Sequence, residues 1–142
     1  MGIFLDSSFF LAFCHPDDEN HDVADRQFDR IVNGTFGLVF TSPYVIAEAA
    51  TIFMVRTNNN MMLIDDFYSL VYGSDKICFI LPWTEDIDAK SWDLFRSANK
   101  KAKSKKEWLS FVDCTNIRYC QERQITNIAS FDGHFEPYLE KI

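Results

Sequence analysis

Ile3-Phe4-Leu5-Asp6-Ser7-Ser8-Phe9-Phe10-Leu11-Ala12-Phe13-Cys14 is the stretch whose reading decides the fold. A short apolar run stops at three consecutive residues able to cap a helix, and an apolar helical turn or two follows: strand, cap, helix. The same sequence of signals recurs outward along the chain. Residues 36–41 are β-branched and aromatic over a strand's length, and Ser42-Pro43 then supplies an N-cap and a proline at the first helical position. That helix runs to about Arg56, and Asn58-Asn59-Asn60 breaks it before a further helix over residues 61–72. Residues 77–81 form a third strand stopped by Pro82, and residues 125–129 a fourth. Between them lie helical stretches at 84–103 and 110–123, with Trp92, Phe95 and Ala98, or Ala89 and Trp92, as alternative core contacts of the first. Earlier, Val23, Phe28, Ile31 and Val32 form a helical stripe that ends at Asn33-Gly34. Strands alternating with helices give βαβ units, hence an α/β fold with a parallel sheet covered on both faces. With no repeat, low-complexity tract or Gly/Ser/Pro linker, residues 1–142 are expected to form a single domain.

Composition narrows the function. A net charge of −7 argues against a surface given over wholly to polyanion binding, while leaving room for local basic patches. Cys14, Cys78, Cys114 and Cys120 contain no C-x-x-C pair, which excludes a zinc ribbon and reads as reduced thiols of a cytosolic protein. The opening residues lack a signal peptide's basic region, and no window reaches the roughly 20 apolar residues of a membrane span. There is no G-x-x-x-x-G-K or G-x-G-x-x-G loop for a nucleotide or dinucleotide. His15, His21 and His134 lack zinc spacing, and none stands in a Ser or Cys nucleophile context.

What remains is acidic. In open parallel sheets ligands sit beyond the carboxyl ends of strands, so acids just after a strand or early in the next helix matter most. Asp6 ends the first strand, with a plain helix N-cap as its structural alternative. Asp132 follows the last strand in Phe131-Asp132-Gly133, where a turn residue is the alternative. Asp113, in Ser110-Phe111-Val112-Asp113, has the spacing of a capping box. Glu48 lies in the second turn of a helix that is apolar around nearly its whole circumference; a buried helix there would need a partner for the carboxylate, whereas a solvent-facing edge would not. Four carboxylates converging on one sheet edge repel one another unless a divalent cation neutralises them, which points to a hard-metal oxygen site for Mg²⁺ or Mn²⁺.

Phe4-Leu5-Asp6-Ser7-Ser8, then Ser42-Pro43-Tyr44-Val45-Ile46-Ala47-Glu48, then Ser110-Phe111-Val112-Asp113-Cys114, then Ser130-Phe131-Asp132-Gly133-His134-Phe135 together resemble the PIN domain, in particular the VapC-type toxin ribonucleases. The resemblance spans nearly the whole chain, including Asp18-Glu19-Asn20-His21 before the second helix. It departs at Ser130, where Thr is usual, and at Asn116, where a small hydroxyl residue is common. The resemblance implies a three-layer α/β/α fold with a central parallel sheet of four to five strands. It implies a Mg²⁺- or Mn²⁺-dependent endoribonuclease, a hydrolase of RNA phosphodiesters, with Asp6, Glu48, Asp113 and Asp132 as its acidic quartet. Asp6 and Asp113 would ligate directly, Asp132 would ligate or support, and Glu48 would ligate or position water. A cytoplasmic toxin of a type II toxin–antitoxin pair, held by a small antitoxin protein and homodimeric, is the biological setting it implies.

Lys100, Lys101, Lys103, Lys105 and Lys106 are five of the 14 basic residues within seven positions. They read equally as a solvated helix end and as phosphate contacts for RNA. Trp108, Phe111 and Phe135 could stack bases or serve the core. Two other functions compete: a non-catalytic PIN-fold interaction scaffold, which gains nothing from clustered carboxylates, and a receiver-like phosphoacceptor, which needs an adjacent acidic pair where only Asp6 stands.

Overall fold

The computed structural model describes all 142 residues. Strand β1 (Gly2–Leu5) leads into α1 (Ser7–Cys14) and α2 (His21–Val32); β2 (Leu38–Thr41) into α3 (Pro43–Arg56) and α4 (Met61–Val71); β3 (Phe79–Ile80) into α5 (Glu85–Lys101). A 3-10 turn (Lys105–Glu107), α6 (Phe111–Arg123), β4 (Asn127–Ala129) and β5 (Glu140–Lys141) complete the chain. The five strands form one sheet in the order β3-β2-β1-β4-β5, with every pairing parallel. Helices cover it in a three-layer α/β/α arrangement, with α1 against α2, α3 and α4, and α5 against α6.

Parallel strands covered on both faces have no polar side to show, and every residue of β1 is buried. Its register is fixed on both sides, Ile3 opposite Val39 and Asn127, Phe4 opposite Phe40 and Ile128. Strand order climbs from β1 through β2 to β3 in one direction and restarts with β4 in the other, so it reverses between β1 and β4. A crevice opens beyond the strand ends at such a reversal. Leu5 and Ala129 are the paired last residues of these two strands, and the ladder runs on through an Asp6 N–H to Ala129 carbonyl bond of 3.1 Å.

The helix starts follow the capping chemistry. Ser42 accepts from the Val45 amide with Pro43 at the first turn, and Asn60 accepts from the Met62 and Leu63 amides. Several boundaries move. The second strand begins at Leu38 rather than 36 because Gly37 sits at φ +85°, where a Cβ would stand 3.0 Å from the Met1 carbonyl oxygen. The lysine tail leaves the helix after Lys101 and coils into the 3-10 turn.

Three readings of apolar periodicity are corrected. Helix α3 is apolar nearly all round, yet only Val45, Ala49 and Phe53 are buried, and Met54 and Val55 stand 49% and 68% exposed. In the outer layer it contributes one face to the core and shows the other to solvent. On α2 the buried residues are Ala24, Gln27 and Ile31, with Val23 and Val32 exposed; on α5, Trp92 is exposed while Ile87, Ser91 and Leu94 are inside.

Aromatic contacts lock the helical layer. Phe53 of α3 stacks on Phe67 of α4 at 4.8 Å, and Phe67 meets Phe10 of α1 edge-on at 5.1 Å. All four cysteines are free and buried, and burial pushes the Cys14 and Cys114 thiols up to about 12, so neither serves as a nucleophile. Phe53→Ala removes a ring with no exposure from the junction of three helices and should destabilise the fold by about 3–5 kcal/mol, measured by urea unfolding.

Candidate functional site

Asp6 occupies the N-cap position of α1, yet its side chain makes no capping bond. It turns instead toward the end of β4 and the first turns of α6. Ser130 donates to Asp6 Oδ2 at 2.8 Å and Asn116 Nδ2 donates to Oδ1 at 3.0 Å, so both carboxylate oxygens are held. These are the two positions at which the chain departs from the usual pattern, and each supplies a donor to Asp6. Ser130 also accepts from the Asp132 amide at 3.1 Å, so one hydroxyl fixes Asp6 and the backbone that carries Asp132. Ser8 lies 3.2 Å from Ser130 and accepts from the Phe131 amide at 2.9 Å, which ties the start of α1 to the loop after β4.

Glu48 is half-buried on α3 and accepts at Oε2 from the Ser7 hydroxyl at 2.7 Å. Neither alternative for its helix holds alone: α3 is half exposed, while Glu48 faces the end of β1. Asp113 is 7% exposed and does form the capping box, Ser110 donating its amide to Oδ2 at 3.1 Å and receiving the Asp113 amide on its hydroxyl at 3.0 Å. The capping role and a place among the acids are therefore compatible.

Asp6, Glu48 and Asp113 each feel the charge of a neighbouring acid. Burial first, then the charges of Asp132 and Asp113, push Asp6 from its ordinary 3.8 up to about 7, against the Ser130 hydrogen bond that lowers it. Burial also raises Glu48, with Asp113 and Asp132 adding to the shift and Ser7 opposing it. Asp113 is raised by burial and by Asp132, while the Ser110 bonds and His134 hold it down. The only two ion pairs in the chain, Lys90–Asp86 and Lys141–Glu136, involve none of these four residues.

The donor chemistry fits a hard divalent cation: carboxylate oxygens, mutual repulsion and no ion pair to any of the four. Close to Asp6, Asn116 Oδ1 is buried with no hydrogen-bond partner, an acceptor suited to a metal-ordered water. No three acidic, histidine or cysteine side chains are already gathered around one point, so the fit lies in donor type and coupling rather than in a preassembled cage.

Ser7, Ser8, Ser130, Asn116 and His134 are the residues that sequence reasoning did not assign to the site. Their signals were present: Ser7 and Ser8 follow Asp6 directly, Ser130 ends β4, and Asn116 lies three residues after Asp113 on the same helical face. The five lysines are all exposed, and four of them line three different cavities. Lys105 shares a cavity with Asp113, Lys101 and Lys106 line a second one with Glu107, and Lys100 lies beside Asp93 and Arg96 on α5.

The PIN domain model matches residues 3–138, and the chain belongs to the PIN domain family. Among solved structures it is similar to VapC20 of Mycobacterium tuberculosis, described as a sarcin–ricin loop cleaving toxin, with 23% identity, a TM-score of 0.78, and coverage of 95% of this chain and 93% of that one. It is also similar to FitAB bound to the IR36 DNA fragment (16% identity, TM-score 0.67, 99% and 93% covered) and to FitAcB from Neisseria gonorrhoeae (17%, 0.65, 99% and 96%). No curated protein matches the sequence. No helix is long and apolar enough to cross a membrane.

The raised Asp6 has a definite consequence for stability. The folded protein keeps its proton up to about pH 7, whereas an unfolded chain releases it near 3.8, so Asp6 withdraws stability as pH rises through that interval. Asp6→Asn removes the effect. Without added metal, the variant should gain on wild type as pH rises from about 4 to about 7, by at most about 1.4 kcal/mol per pH unit, and hold that gain above it, in urea titrations.

Proposed function

We propose that this chain is a divalent-metal-dependent endoribonuclease that cuts RNA by water attack on a phosphodiester, with Asp6, Glu48, Asp113 and Asp132 as its acidic quartet. The observation that carries the reading is the hydrogen-bonded placement of buried, unpaired carboxylates where the strand order reverses, with Ser130 and Asn116 on Asp6, Ser130 on the Asp132 backbone and Ser7 on Glu48. Membership of the PIN family and likeness to a toxin that cleaves the sarcin–ricin loop support RNA as the substrate.

Asp6 and Asp113 would hold Mg²⁺ or Mn²⁺, with Asp132 as a further ligand or support. When bound, such an ion makes water more acidic and offsets charge on the phosphate. Glu48 is the base in this scheme. Ser7 fixes its Oε2 and leaves Oε1 to receive the proton of the attacking water, and burial, which raises its affinity for protons, suits it to that step. Ser130 and Asn116 hold the Asp6 oxygens against rotation. The exposed lysines at 100, 101, 103, 105 and 106 would meet phosphates along the strand. The same reading makes the protein a cytoplasmic toxin of a toxin–antitoxin pair, homodimeric and restrained by a small antitoxin protein.

Asp113→Asn keeps shape and a capping oxygen but loses the charge that binds metal; cleavage of a labelled RNA panel should fall to background in a folded protein. Glu48→Gln should lower kcat by about 10²–10⁴-fold. Near-wild-type activity in either would overturn its assignment.

Millimolar Mg²⁺ or Mn²⁺ should raise the melting temperature of wild type by mass action, and raise it less in Asp6→Asn. If neither protein shifts in a thermal scan, the carboxylates do not form a metal site.

A further inference from the structure

Beside Asp113 lies a cavity of about 640 Å³ whose walls include Phe95, Asn99, Lys105, Trp108 and His134. Its volume falls within the roughly 300–1,000 Å³ of ligand pockets. Trp108 leaves 53% of its surface exposed here, although a tryptophan gains much from burial. Lys105 Nζ lies 5.7 Å from the centre of the indole ring, so a cation and an aromatic face stand side by side.

The wall is built to hold its shape. Asn99, in the last turn of α5, donates to the Leu109 carbonyl at 2.9 Å and accepts from the Leu109 amide at 3.0 Å, clamping the residue next to Trp108. Asn99 Nδ2 also donates to the Phe95 carbonyl at 2.8 Å. Phe95 is braced edge-on by Trp92 at 5.6 Å and by Phe111 at 6.0 Å. Of the five lysines, only Lys105 reaches this cavity.

We propose that this cavity is a nucleotide subsite, in which one unpaired RNA base next to the scissile phosphate stacks on Trp108 while Lys105 meets its phosphate. The inference rests on the ribonuclease reading and specifies how that site selects its substrate. On a chain of net charge −7, phosphate attraction alone is a weak source of affinity, and stacking supplies what charge does not. An unpaired base offers its face to an indole; a base inside a duplex is already stacked. The subsite therefore selects single strands and loops.

The test measures anisotropy of a short fluorescein-labelled RNA in an Asp6→Asn background, where the strand stays intact. Trp108→Ala should weaken single-strand binding by about tenfold, and Trp108→Phe should restore most of it. The same strand in a duplex should bind both proteins equally. Abasic nucleotides placed one at a time should reveal a position whose loss mimics Trp108→Ala, and combining the two changes should add nothing. Equal single-strand affinity with and without Trp108, or an equal loss on duplex, overturns the subsite. A 5-iodouridine strand crosslinked to the protein with tryptophan intact reads the same contact without a substitution: adducts on Trp108 support it, and adducts only outside this cavity overturn it. If wild type cuts RNA while Trp108→Ala binds and cuts like wild type, the subsite fails and the nuclease reading stands. If wild type cuts nothing with Mg²⁺ or Mn²⁺ but single strands still bind through Trp108, the nuclease reading fails and the subsite stands.

Discussion

The parallel pairing of β1 with β4 is the constraint on which the rest of the site depends. It brings residues more than 120 positions apart to one edge, Leu5 opposite Ala129, and the next residue on each strand leaves the sheet as a polar group. Asp6 and Ser130 then bond to each other, and through Ser130 the backbone of Asp132 is fixed as well. Helix α6 adds Asn116 and Asp113 from one face, and α3 adds Glu48 through Ser7. A one-residue slip of β4 against β1 would turn Ser130 to the other face of the sheet and break its bond to Asp6.

Holding these acids in place works against stability. Asp6 is 1% exposed and bears the repulsion of two neighbouring carboxylates, and only neutral donors oppose it. Such a group is tolerated when the rest of the domain over-determines its position, and the aromatic junction of Phe10, Phe53 and Phe67 together with the fully buried β1 do so here. An arginine beside Asp6 would relieve the repulsion and also occupy the place a cation would take. The neutral serine and asparagine donors instead orient the carboxylate without cancelling its charge.

Much of this was legible in the sequence because it is written locally. Strand-then-cap patterns at Leu5-Asp6 and Thr41-Ser42 placed two elements and two candidate acids, and the Ser110 to Asp113 spacing gave its helix start. Burial was less legible. The apolar circumference of α3 does not say which side meets a neighbour, and Trp92 resembles a core residue until α6 is seen to cover only part of it. The hydroxyl and amide partners of Asp6 were not legible either, since their bonds span 110 and 124 residues and carry no periodic signal.

The two outer strands of the sheet, β3 and β5, are two residues long. Each is too short to template another chain, so the molecule presents almost no open ladder of amides and carbonyls. A partner that recognises extended peptides by adding a strand has nothing here to extend. Association with other macromolecules must therefore use side chains on helices and connecting loops, where recognition is read residue by residue and single substitutions can retune it.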